Sequence, residues 1–349
     1  MSTVDPDLLD LLQDFFASEV TPEVVEAAER AGTLPADLWA RAEAVEIPWI
    51  GIAEEHGGVG GSLADTVAMV EEAARRATPL PLVEHHLAAW LLGLAGADRI
   101  DGPLTVAGLR DEITVENGTV GTIDEVAWAA DARAVVALAR QDDRDVVVVL
   151  ERDAYDVEPG TDLAGIPVPT VAPGAGTTVR VLPLPVPAEQ ARRRAELLRC
   201  AQLAALTEAM YELTKNYVAE RHQFGKPVGS FQSVQIHTVT LAQAASMSLL
   251  SVDRAVLALE AGSGEFEVAA TTVVTAQNAV AGAAAAHQAH GAIGMTREYP
   301  LQFLTRRVHA WRQRWTSQPA AERVVGDWAF AAPALSTLVS RHHDEGIPA

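Results

Sequence analysis

The stretch RHQFGKPVGSFQSVQ, residues 221–235, decides how the rest of the chain is read. It holds two glycines, one proline, two phenylalanines, three glutamines and two cations in fifteen residues. Neither a helix nor a strand calls for that mixture. Arg221 ends one long segment of helical periodicity, and Ser230-Phe231-Gln232 opens the next, so the mixture falls on a loop between helices. On that loop Arg221, Gln223 and Lys226 surround Phe224. A guanidinium grips phosphate oxygens with a forked geometry that lysine lacks. A phenylalanine beside it covers a flat ring, and glycine lets backbone approach a ligand closely. The residues alone leave two readings open: a ligand-binding loop, or an interhelical turn with a capping arginine.

Outward from the loop, helical patterns dominate. AEQARRRAELLRCAQLAALTEAMYELTKNYVAER precedes it as one long helix. SVQIHTVTLAQAASMSLLSVDRAVLALEAG follows, then GEFEVAATTVVTAQNAVAGAAAAHQAHG, YPLQFLTRRVHAWRQRW and AAERVVGDWAFAAPALSTLVSRH. Such lengths predict a bundle of long helices, and the Ala/Gly density of the third predicts close backbone approach in a core or subunit interface. Residues 103–186 have a different texture. LTVAGL, VAWAA, AVVALAR, DVVVVLE and TTVRVLPL are short and Val-rich, separated by the turn signals ENGT, QDDRD and EPGTD. No helical segments alternate with them, which predicts a small antiparallel sheet or barrel rather than a parallel α/β sheet. Residues 5–100 again read as helices, with Ser62 and Asp65 as a capping pair. The expected architecture is mostly α with a small β domain: an N-terminal helical domain at 1–102, a middle β-barrel or sheet at 103–186, and a C-terminal helical bundle at 187–349.

Composition narrows the partners. The chain has 349 residues, is 49% hydrophobic and 21% charged, and carries a formal net charge of −21. That balance is globular. Its sign repels nucleic acid and anionic membrane, and neither is expected as a partner. MSTVDPDLLDLLQDFF lacks the basic and apolar regions of a signal peptide. No apolar run of about 18 residues free of polar breaks is present, so no membrane span is expected and a cytoplasmic location fits. One cysteine, Cys200, excludes an internal disulfide framework and reads as a core residue. GGVGGS at 57–62 lacks the full phosphate-loop spacing and reads as a structural turn. His287 and His290, spaced i,i+3, form a nominal metal pair, but no carboxylate or cysteine lies near them in sequence. Packing or hydrogen-bonding roles are expected there, and no metal site. His85-His86 and His342-His343 read as solvated neighbours.

Two segments carry a family resemblance. YVAERHQFGKPVGSFQSVQ is similar to the Y-x-x-x-R-x-x-F-G-x-x-[IVL]-x-x-[FHL]-Q segment of the acyl-CoA dehydrogenase family. HQAHGAIGMTREYPLQFLTRR resembles its Q-x-x-G-G-x-G-[FYM]-x-x-E-[YFH]-P-[LIVM] segment, with Ala292 in place of the second glycine. EEHGGVGG more weakly resembles a third segment of that family. The resemblance implies a flavoprotein that removes the α-proton of an acyl-CoA with a glutamate. The β-hydrogen passes as hydride to FAD, which an electron-transfer flavoprotein reoxidises. It implies that Arg221 holds the FAD pyrophosphate of a neighbouring subunit with Gln223 and Phe224 beside it. It implies that Gln288 to Gly291 meets the same FAD.

Against that family pattern the chain departs in two places. Most relatives carry the base after the fourth long helix, where counting reaches Trp315 or Thr316, and residues 301–321 contain no Asp or Glu. Others carry it near the start of the first bundle helix, where counting reaches Ala195, with Glu196 as its neighbour. One residue turns a helix by about 100°, so Glu196 serves as base only if the register is off by one. The β block lacks the family's Thr-Glu-Pro-like and Trp-x-Thr-Asn-like flavin segments. The departures resemble the subunit of heteromeric acyl-CoA dehydrogenases, including those for steroid side chains or other bulky acyl groups, that lacks the catalytic glutamate. The expectation is an α2β2-type heterotetramer with a second family subunit and an FAD shared at the interface. A homomeric enzyme using Glu196 or another base, and a flavin-free binding or scaffold protein, are the alternatives.

Overall fold

Asp5 and Thr21 set the first two helices. Each side chain accepts a backbone N–H of the following turn, and each is followed by a proline whose fixed φ suits a helix start. In the computed structural model, which describes residues 4–174, 176–312, 314–315 and 317–339, these are α1 (Pro6–Glu19) and α2 (Pro22–Ala31). Next come α3 (Ala36–Ala44), α4 (Leu63–Arg75) and α5 (Leu82–Leu94). The Ser62–Asp65 capping pair forms: Asp65 Oδ2 accepts from Ser62 N–H at 2.8 Å, and Ser62 Oγ accepts from Asp65 N–H at 3.1 Å.

The β block contains β1 (Leu104–Ala107), β2 (Ile113–Glu116), β3 (Thr119–Val120), β4 (Ala134–Gln141), β5 (Arg144–Glu151), β6 (Tyr155–Glu158), β7 (Thr170–Pro173) and β8 (Arg180–Pro183). Its main sheet runs β3-β2-β4-β5-β8, with β1 also on β4, while β6 and β7 pair separately. The pairing is not wholly antiparallel as expected, because β1 and β2 lie end to end along one edge of β4, both parallel to it. Gly108 makes the break between them. Its φ is +73°, and a Cβ there would overlap the Leu138 carbonyl. VAWAA is not a strand either. Its residues Val126 and Trp128 donate backbone N–H groups to Pro169 and Pro167, and Trp128 sits at positive φ, which interrupts any ladder. The turns fall where Gly, Asn and Asp predict them: Asn117-Gly118 and Asp142-Asp143 all take positive φ. Alternate residues of β4 and β5, among them Val135, Ala137, Val148 and Leu150, build a buried core with Tyr155 and Val171.

α6 (Ala188–Glu220), the hairpin strands β9 (His222–Gln223) and β10 (Lys226–Pro227), α7 (Gln232–Glu260), α8 (Glu265–His290), α9 (Leu301–Trp311), α10 (Gln318–Ala331) and α11 (Leu335–Val339) complete the chain. The last expected helix is two, broken around Pro333, whose ring is incompatible with the preceding turn. By internal packing the chain divides into two units, residues 4–70 with 78–195, and 71–77 with the described part of 196–349. Residues Glu265–Met295 are long and apolar enough to cross a membrane by length and composition, but 56% of that apolar window is buried within the protein. The pairing of α8 with α7, α9 and α10 accounts for this apolarity as bundle core.

Two histidines overturn their sequence reading. His85 and His86 are fully buried, not solvated, because α5 is apolar on all sides and both directions lead inward. His85 Nδ1 accepts the Leu104 N–H at 3.1 Å, and its ring packs edge-on to Trp39 and Trp49. His86 Nδ1 donates to the Ile50 carbonyl at 3.2 Å, while Nε2 receives Arg194 at 2.9 Å. Burial drives His85 down to about 3 and, with Arg194, holds His86 well below the usual imidazole range.

Candidate functional site

The loop between α6 and α7 is a β-hairpin. Its two central residues, Phe224 and Gly225, take φ of +51° and +81°. That is the type I′ pattern whose twist suits a two-residue hairpin. Glycine adopts it without cost, whereas a bulky residue there is strained. At the tip of the turn Phe224 is 91% exposed, with Arg221, Gln223 and Lys226 also in solvent. The foot is pinned. Val228 N–H donates to the Arg221 carbonyl at 2.8 Å, and Val228 packs with Val218 and Ala289 in a buried cluster. Gly229 lets the chain pass close, since a Cβ there would stand 3.0 Å from the Val218 carbonyl oxygen. Lys226 Nζ lies 4.4 Å above the Phe231 ring, and that ring meets Phe224 edge-on.

The second predicted segment comes to the same place. Ala289 joins the end of α8 to the foot of the hairpin. Beside it Gln288 and Gly291 are exposed, and Gly291 turns the chain at φ +64°. Arg221, Gln223, Phe224, Gln288 and Gly291 are thus carried by segments that share one cluster. This donor set fits part of an FAD: a forked cation for the pyrophosphate, an amide, and an aromatic face. Arg221, Gln223 and Phe224 are exposed on the hairpin, and Gln288 and Gly291 are exposed at the end of α8. In the β block, whose sequence lacks the family's flavin segments, Ile123, Val126 and Trp128 spend their N–H groups on Val171, Pro169 and Pro167.

A cluster that the sequence reading did not single out lies between the two segments. The Tyr217 ring stacks on His290 at 4.5 Å and 23°. Its hydroxyl donates to the His290 carbonyl at 3.3 Å. His290 Nδ1 donates to the Ala286 carbonyl at 2.8 Å, and Nε2 accepts from the Tyr299 hydroxyl at 3.2 Å. The only sequence signal was that Tyr217 and Tyr299 both fall at aromatic positions of the resembling segments. His287 bonds Thr305 Oγ1 through Nε2. Both histidines therefore take hydrogen-bonding roles, and burial holds both below the usual imidazole range. Among the described residues no group of three or more His, Cys, Asp or Glu is placed to hold a metal.

The positions at which the resemblance would put a base, 195 and 315–316, carry no carboxylate in the sequence. Ala195 is buried at 1% exposure, and Glu196, one residue on, is half-buried. Trp315 lies over the Arg199 guanidinium at 4.1 Å, with Trp311 5.2 Å from it. Arg199 is itself buried. Thr316 and the His342-His343 pair lie outside the described residues. Cys200 is core as expected, and burial raises its thiol to about 11. GGVGGS is a turn: the N–H groups of Gly57, Gly58, Val59 and Gly60 go to the carbonyls of Glu54, Ala53, Trp49 and Ile52. None of those amides is left for a phosphate. A groove of about 730 Å³ between Gln141–Val146 and Val181–Val186 contains none of the predicted site residues.

Comparison with known proteins supports the family reading. Residues 5–100 match the acyl-CoA dehydrogenase N-terminal domain, and residues 193–313 match the acyl-CoA dehydrogenase C-terminal domain. Acyl-CoA dehydrogenase IpdE2 of Mycobacterium tuberculosis is 29% identical over 320 residues, covering 87% of this chain and 92% of that protein. Acyl-CoA dehydrogenase FadE34 of the same organism is 28% identical over 274 residues. That match covers 74% of this chain, which spans only 37% of FadE34. A chain of the ChsE4-ChsE5 complex from Mycobacterium tuberculosis superposes with a TM-score of 0.79 at 18% identity, covering 96% of this chain and 100% of that one. The order of helical block, β block and bundle, the hairpin at Arg221 and both domain matches lead to one conclusion: this chain belongs to the acyl-CoA dehydrogenase family.

Proposed function

We propose that this chain is the non-catalytic subunit of a heteromeric FAD-dependent acyl-CoA dehydrogenase, and that it completes the FAD site of a second family subunit. The observation that carries the reading is the state of the base positions. Residues 301–321 hold no carboxylate, Trp315 lies over Arg199, and Ala195 is buried. A buried guanidinium at that place stabilises negative charge and does not accept a proton. The hairpin that would face FAD keeps Arg221, Gln223 and Phe224. Arg221 would hold the pyrophosphate, with Gln223, Phe224, Gln288 and Gly291 around it. When bound, FAD supplies the acceptor for the β-hydrogen of the acyl chain. The partner supplies the base, and an electron-transfer flavoprotein removes the electrons.

A steroid side-chain or other bulky acyl-CoA is the proposed substrate, by analogy with the Tcur3481-Tcur3483 steroid ACAD, which superposes with a TM-score of 0.81. An α2β2 assembly, a cytoplasmic location and the domain limits 1–102, 103–186 and 187–349 belong to the same proposal. The test is flavin content. This chain expressed alone is expected to hold well under one FAD per chain, and the assembled protein to hold bound FAD. A chain that purifies alone with one FAD and is reduced by an acyl-CoA would replace this reading with a homomeric enzyme.

A further inference from the structure

We propose that Tyr217, His290 and Tyr299 are positioning residues that set the Arg221 hairpin against the end of α8. The inference rests on the reading of those two segments as the FAD-facing pair. Tyr217 sits in the last turn of α6, and its carbonyl accepts the Arg221 N–H at 2.9 Å. Its hydroxyl caps the carbonyl of His290, the last residue of α8. That carbonyl belongs to the end of a helix, where no further turn supplies a donor. One side chain therefore fixes the departure points of both segments.

His290 completes the link. Donation from Nδ1 to Ala286 leaves Nε2 as an acceptor for the Tyr299 hydroxyl, so one neutral tautomer satisfies both contacts. Tyr299 stands just before α9 and meets Tyr217 edge-on at 5.8 Å, closing a ring of three aromatic groups. Gly294 makes room for it, since a Cβ there would lie 2.8 Å from His290 Cβ. The segment after α8 is held down on His290, His290 on Tyr217, and Tyr217 on the hairpin. A small shift anywhere in the ring moves Arg221 relative to Gly291. Groups that bind one extended ligand from two segments depend on that separation.

The test uses the full chain purified with the subunits that assemble on it. Tyr217→Phe and Tyr299→Phe keep the rings and remove only hydroxyls, and His290→Gln retains a polar side chain in place of the ring. Amide hydrogen exchange is followed over 218–231 and 287–300, and bound FAD is followed through dialysis. Tyr299→Phe is expected to raise exchange about tenfold in both segments, although position 299 lies far from the hairpin in sequence. FAD is expected to leave about tenfold faster, with exchange in β4 and β5 unchanged. Faster exchange confined to 287–300, or faster exchange in both segments with FAD retention unchanged, would overturn the positioning role. Arg221→Ala separates the two levels. It should release FAD without raising exchange, and unchanged FAD in that variant would overturn the underlying flavin reading while exchange still judges the link.

Discussion

Arg221 is the residue on which the cofactor reading turns. If its guanidinium clasps a pyrophosphate, Arg221→Ala costs about 1.5–3 kcal/mol of FAD affinity, tenfold or more. Arg221→Lys recovers part of it, because the charge remains and the fork is lost. Equilibrium dialysis of the assembled protein reads this directly, and equal FAD content in all three proteins would return the hairpin to an ordinary turn. Glu71 makes a second prediction at this scale. Its side chain packs among Arg75, Glu72, Glu208 and Asp253, and burial raises its carboxyl to about 7 despite Arg75. Because the folded pKa exceeds the unfolded one, the stabilising contribution is complete below about 4.5 and is lost as pH rises through about 7. Glu71→Gln should therefore gain stability relative to the parent as pH goes from 5 to 8, by at most about 3 kcal/mol. Thermal melts at the two pH values test it, and parallel melting curves would refute it. His85 works the other way. Its depressed pKa makes a contribution that is complete above about 6.5 and is lost as pH falls toward about 3.

Among the elements, the hairpin and the edge of β4 show how far local chemistry reaches. Gly108→Ala places a Cβ against the Leu138 carbonyl at a φ that only glycine takes freely, and should lower the melting temperature by several degrees. An unchanged melting temperature would show that β1 and β2 do not need this break. Long periodic helices were legible in the sequence, and α6 ends one residue before Arg221, as the reading of the loop required. Hairpin turns were legible through Asn117-Gly118 and Asp142-Asp143. The parallel placement of β1 and β2 was not, since pairing partners are set by tertiary packing and Val-rich runs look alike in either direction. VAWAA has strand composition, but its N–H groups are committed to the 167–169 segment. The buried pair His85-His86 was missed because adjacent helix residues diverge. That argument fails on a helix packed all round, which LAAWLLGL in α5 already signalled. The placement of Arg221, Gln223, Phe224 and Lys226 on one interhelical loop was legible from the composition of that stretch. The Tyr217–His290–Tyr299 ring was not, because its members are 73 and 9 residues apart and only the fold brings them together.

For the whole molecule, the account divides one activity between two chains: an arm that faces FAD here, and a base elsewhere. The measurement that bears most directly on this is rapid mixing of the assembled protein with an acyl-CoA substrate while flavin absorbance is followed. It compares the parent with Glu196→Gln, which removes the one carboxylate beside a family base position. The account predicts flavin bleaching within a few-fold of the parent. Loss of about two orders of magnitude or more with FAD still bound, the contribution expected of a positioned general base, would contradict it and place the chemistry on this chain.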